Sequence, residues 1–120
     1  MTREAFTIVD AEEMEKSGTW LLARRSLGLQ SFGLNLVDIA PGDRIPEHDE
    51  TERDHEEVFL ALSGDATIVI DGEEHSLPEG CFARLDPHLT RTVTNNGSGP
   101  LRLLIASAPR ESGYEPMGWA

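Results

Sequence analysis

The sequence predicts an all-β domain of antiparallel strands, and three observations carry that expectation. Short runs of β-favouring residues recur between Leu34 and Ser107. Clusters of Gly, Pro, Asn and Asp separate them at the spacing found in sandwiches and barrels. One cluster, Asp71-Gly72, stands between two extended runs and supplies the positive φ that a two-residue hairpin requires. With 120 residues the chain has room for one domain around a single core.

Taken in order, residues 10–16 read as a short helix, with Asp10 as N-cap, Glu13 as its capping-box partner and Gly18 as the stop. Strands are then expected at residues 34–39, 58–62, 66–70, 82–85, 90–95 and 101–107. The turns between them are Pro41-Gly42, Ser63-Gly64-Asp65, Asp71-Gly72, Pro78-Glu79-Gly80, Asp86-Pro87 and the segment 96–100. No internal repeat is visible. These features leave a jelly roll, an immunoglobulin-like sandwich and a lipocalin-like barrel equally open.

Composition narrows the setting. The chain is 38% apolar and 27% charged, with no apolar run near the length of a membrane span. A net charge of −12 repels nucleic acid and anionic membranes, so neither is an expected partner. Met1-Thr2-Arg3-Glu4 leads into no apolar signal core, and the lone Cys81 cannot form an internal disulfide; both point to the cytoplasm. Cys81 has no basic neighbour in sequence and reads as a small strand residue rather than a nucleophile. Nine of the ten basic residues are Arg, which suits a GC-rich bacterial genome.

The most specific pattern runs from Gly42 through Pro46 and His48 to Glu50, then from Glu57 to Gly64. This resembles the first signature of the cupin family, with Glu50 in place of the second His of a His-x-His pair and a longer gap before Glu57. A second stretch resembles the other cupin signature through Gly80, Pro87 and Asn95, with Arg91 where the family carries a metal-binding His. The resemblance covers roughly residues 27–108 and is firmest over 41–80. It implies an antiparallel double-stranded β-helix, or jelly-roll barrel, with a short N-terminal helical arm over residues 1–26 and a tail over 109–120 that packs on the barrel or on a partner subunit. Family members are commonly dimers, so a homodimer is expected.

Strand alternation then selects the inward side chains. Val93 is the only purely apolar member of its run, so Arg91, Val93 and Asn95 share the inner face. Glu57, Phe59 and Ala61 share another, with His55 joining them if the strand starts early; His48 and Glu50 project together. The expected ligand pocket is therefore His48, Glu50, Glu57, Phe59 and Arg91, and the metal alternative is His48, Glu50, His55 and Glu57. Phe59 and Phe82 read as barrel filling, Trp20 and Trp119 as packing of the terminal arms or a subunit contact. Seven carboxylates lie between Glu47 and Glu57, of which Glu47, Asp49, Glu52 and Asp54 read as a solvated loop. His75 has no assigned role, His88 is expected exposed in a turn, and Asn95 is expected to make a turn hydrogen bond.

Two functions follow from the resemblance. The first is a small-molecule-binding barrel with no cofactor, in which Arg91 is an internal counter-ion for Glu57 or Glu50. The second is an enzyme of the dioxygenase, isomerase or epimerase kind, with one divalent ion of iron, manganese or zinc. There Arg91 would turn to the mouth and take a substrate carboxylate. A barrel that is merely packed is the third option, and no nucleophile elbow, phosphate-binding glycine loop or CxxC pair is present.

Overall fold

The structure is a computed structural model and describes residues 4–120. Its strands are β1 (Lys16–Ser17), β2 (Trp20–Leu21), β3 (Gly33–Ile39), β4 (His55–Ser63), β5 (Ala66–Ile70), β6 (Glu73–Leu77), β7 (Phe82–Leu85), β8 (Arg91–Thr94) and β9 (Leu101–Pro109). They form a six-stranded sheet in the order β1-β2-β3-β9-β4-β7 and a three-stranded sheet in the order β6-β5-β8, with every pairing antiparallel. Two bridges, Arg44 with Thr94 and His48 with Arg91, lay residues 44–48 alongside β8 and widen the smaller sheet. This is the expected jelly-roll architecture.

The core lies between the sheets because each contributes one apolar face. Phe59 and Ala61 of β4, Leu101 and Leu103 of β9, Val37 and Ile39 of β3, and Ile68 and Val93 of the smaller sheet are closed off from solvent. Burial alternates along β4 and β9 with the period of two that a sheet with one covered face demands. The Asp71-Gly72 hairpin has φ of 48° and 82°, as expected for two left-handed turn residues.

The arm differs from the expectation. A single 3-10 turn, Ala11–Glu13, replaces the helix over 10–16; the Asp10 side chain accepts from the Glu12 N–H, and Lys16 already belongs to β1. A run this short gains too few backbone bonds to propagate a helix. The one α-helix among the described residues, α1 (Ala23–Leu27), was not anticipated: Leu22 provides no side-chain cap, and only Gly28 at φ 69° marks its end. Phe82 also corrects the sequence reading. It stands opposite Leu60 on the outer face of β7 and is 69% exposed, while Phe59 fills the barrel. Cys81 precedes β7 and is exposed rather than a strand residue. Trp20 packs against the core, whereas Trp119 is 84% exposed. Among the described residues no helix is long and apolar enough to cross a membrane.

Candidate functional site

His48 and Arg91 are placed by their backbones. Each donates its N–H to the other's carbonyl, at 3.0 and 2.8 Å. Directly opposed residues of an antiparallel pair project to the same face, so both side chains enter the space between the sheets. Glu57 reaches it from β4, where alternation groups it with buried Phe59 and Ala61. Glu50 is held at the edge of the same space by its N–H to Pro87 O, at 2.9 Å. The four side chains thus come from three segments, residues 48–50, β4 and the distant β8.

His48 Nδ1 lies 3.1 Å from the Pro46 carbonyl oxygen. A carbonyl only accepts, so Nδ1 carries the hydrogen. His48 Nε2 then faces Glu57 Oε1 at 3.3 Å and Glu50 Oε1 at 3.5 Å, an arrangement that requires a proton or another positive charge between nitrogen and carboxylates. Arg91 is wholly buried; its Nη2 donates to Asp86 O at 2.7 Å and its Nη1 lies 3.6 Å from Glu57 Oε1. That separation makes an ion pair but is too long for a hydrogen bond. Arg91 Nε and Nη1 are therefore left without hydrogen-bond partners. Burial pushes the Glu57 carboxyl above its ordinary value, with His48 and Arg91 pulling it back and Glu50 pushing it further up.

Glu50 has a partner that the sequence reading did not name. Arg53 grips both of its oxygens, with contacts of 3.1, 2.9 and 2.8 Å, from an outward position in which Arg53 is mostly exposed. The loop carrying this pair is braced by Asp49, whose carboxylate accepts the Thr51 N–H at 3.1 Å and is held below its usual pKa by that bond. It is braced again by Asp54, which sits at φ 51° and takes two contacts from Arg110. A cleft of about 420 Å³ opens here, lined by His48, Asp49, Glu50, Glu52 and Arg53. The spacing Glu50-x-x-Arg53 was the available signal, but without a helix it did not imply contact.

The residues expected in the pocket fall as follows. His48, Glu50 and Glu57 present ligand atoms within 4.8 Å of one another, Phe59 is packed in the core beside them, and Arg91 adjoins Glu57. His55 shares Glu57's face of β4, half-buried and with an unpartnered Nδ1, but stands outside that group of three. Asn95 is buried and structural: its amide donates to Ile39 O and Gly99 O, and its Oδ1 accepts from Gly97 N. His88 and His75 are exposed.

The donor types of His48, Glu50 and Glu57 suit a divalent ion. Arg91 and Arg53 pair with the two carboxylates and oppose such an ion: a dication about 4 Å from a guanidinium would meet a repulsion of about 8 kcal/mol at an effective dielectric of about 20, set against its attraction to Glu50 and Glu57.

Comparison with known proteins agrees with this architecture. The chain resembles in fold a cupin protein from Bacteroides fragilis, at 22% identity and a TM-score of 0.79, covering 98% of this chain and 94% of that one. It is similar to a sugar phosphate isomerase of the cupin superfamily from Silicibacter pomeroyi, at 20% identity and a TM-score of 0.72, over 85% of this chain and 75% of that one. It also resembles the plu4264 protein from Photorhabdus luminescens, at 18% identity and a TM-score of 0.67, over 92% of each chain. No curated protein matches the sequence. The family model described as the cupin domain matches residues 35–107, the stretch that holds both degenerate signatures and all four polar residues of the site, and the chain belongs to that family.

Proposed function

We propose that the chain binds a small polar molecule at the mouth of its barrel without depending on a tightly held metal. The observation that supports this reading is the buried Arg91 guanidinium, which supplies beside Glu57 the positive charge that an ion would otherwise bring. Polar groups of complementary kind meet there. His48 lines the cleft, and the His48–Glu57 pair can exchange a proton with a ligand hydroxyl. A neutral molecule carrying a carbonyl or hydroxyl oxygen suits this floor better than an anion, because exposed Asp49 and Glu52 line the approach. Metal analysis of protein purified without chelator or affinity-tag metal tests the reading. Well under one ion per chain is expected, and one tightly bound iron, manganese or zinc per chain would overturn it.

A second reading is a metal-dependent isomerase. It is favoured by the convergence of His48, Glu50 and Glu57 and by the fold shared with the Silicibacter pomeroyi sugar phosphate isomerase. The same measurement separates the two, since only the second requires a stoichiometric ion.

A further inference from the structure

An Asp or Asn precedes glycine at two places in the chain, Asp71-Gly72 and Asn96-Gly97. At such a pair the glycine nitrogen can reach the side-chain carbonyl carbon, because no Cβ crowds its approach. The fold treats the two pairs differently. Asp71 is pinned in its hairpin: its N–H donates to Thr90 O at 2.8 Å and its Oδ1 accepts the Thr90 N–H at 2.9 Å. Asn96 is exposed in the connection between β8 and β9, and its side chain has no partner among the described residues. Asn95 carries the same group one residue earlier, but it is buried and its amide donates to Ile39 O and Gly99 O.

We propose that Asn96 is a site of spontaneous deamidation and that Asn95 restrains its rate. The backbone nitrogen of Gly97 gives up its proton to water and attacks Asn96 Cγ; a C–N bond forms, and the side-chain nitrogen takes up a proton and leaves as ammonia. Water then opens the resulting succinimide at either carbonyl, which leaves aspartate or isoaspartate at position 96. The restraint is geometric. Gly97 donates its N–H to Asn95 Oδ1 at 3.0 Å, so the attacking nitrogen is free only when that bond opens. Such openings cost little in an exposed connection that belongs to no strand. Either product adds a negative charge to a chain of net charge −12. Isoaspartate also routes the main chain through the side-chain carbons, which lengthens the connection into β9 beside the point where Pro100 packs against Gly64.

Incubation of the folded full chain in neutral buffer, followed by rapid trypsin digestion and fragment mass spectrometry, tests the proposal. Arg91 and Arg102 bracket residues 92–102, so both asparagines fall in one peptide and its fragments tell them apart. Deamidation is expected to accumulate at Asn96, while Asn95 keeps its amide and Asp71 gains no isoaspartate. The chain unfolded in urea should react faster at Asn96, because the bond to Asn95 is gone. Gly97→Ala should slow the folded chain by more than about tenfold. Its melting temperature should not change, since Gly97 lacks a positive φ and a Cβ there would meet only Asn95 Oδ1 at 3.4 Å. Asn96→Gln should also abolish the mass gain, and it decides the matter if the alanine variant fails to fold. A folded wild type whose Asn96 keeps its amide while the unfolded chain loses it overturns the proposal. So does a folded chain that reacts as fast as the unfolded one, an Asn95 that reacts as fast as Asn96, or a mass gain that proceeds at the wild-type rate in either variant.

Discussion

Arg91 Nη1 lies 3.6 Å from Glu57 Oε1 inside the barrel, at the position where the family signature would put a metal-binding imidazole. Neither residue is fully satisfied by the other. Glu57 Oε1 is shared with His48 Nε2 at 3.3 Å, and Arg91 keeps two nitrogens without partners. Replacing Arg91 by His removes the repulsive charge and adds a fourth ligand to His48, Glu50 and Glu57. The variant should bind Zn²⁺ or Mn²⁺ more than about tenfold more tightly than the wild type, by calorimetric titration. Equal affinity in both proteins would mean that Arg91 does not govern the site.

Truncating the same side chain should act on stability instead. Arg91→Ala leaves Glu57 without its buried cation and Asp86 O without its donor. The expected loss is about 3 kcal/mol, the lower end for breaking a buried pair, because His48 remains to offset part of the Glu57 charge. Urea denaturation measures it. A loss below about 1 kcal/mol would show that Arg91 and Glu57 do not stabilise one another.

Two signature glycines separate conformation from crowding. Gly42 and Gly64 have nearly the same φ, 86° and 83°. A Cβ on Gly42 would meet nothing within 4 Å, whereas one on Gly64 would lie 2.3 Å from the Pro100 carbonyl oxygen and 3.1 Å from Leu101 Cα. Gly42→Ala should therefore cost about 1 kcal/mol, the left-handed penalty alone. Gly64→Ala should cost at least about 2 kcal/mol more, since backbone atoms must move. Equal losses in denaturant melts would contradict the packing of Gly64 against the start of β9.

Those two glycines were legible from sequence because a left-handed turn leaves a compositional mark. The strands were legible for a related reason: alternation around Phe59 and Val93 shows which face a sheet buries, and it placed Arg91 inward without any structure. What escaped was whatever carries no period. Helix α1 has five residues and an uncapped start at Leu22, so neither amphipathic pattern nor cap announces it. Phe82 was misplaced because aromaticity suggested a core position, whereas the register against Leu60 puts it outside. Arg53 was missed because its grip on Glu50 depends on a loop whose shape is set by Asp49, Asp54 and Arg110, residues whose contacts no spacing encodes.

Stability should fall with rising pH through Glu57. Burial lifts its carboxyl above the ordinary 4.5, so in the folded chain Glu57 keeps its proton to higher pH than in the unfolded chain. Where the folded state binds the extra proton, stability decreases as pH increases. The contribution is thus fully present below about 4.5 and is lost as pH climbs through the folded value. Asp38 has the opposite sign: the Arg102 hydrogen bond holds its pKa down, and its contribution disappears as pH falls. Its side chain is about half exposed, so screening keeps that contribution small. Glu57→Gln isolates the buried group, because the amide keeps the shape and cannot titrate. The melting temperature of the wild type minus that of Glu57→Gln should decline from pH about 4.5 upward and level off once Glu57 is ionised in the folded state. A difference that is constant with pH, or that grows as pH rises, would mean that Glu57 is ionised without cost inside the barrel, with Arg91 and His48 compensating it in full.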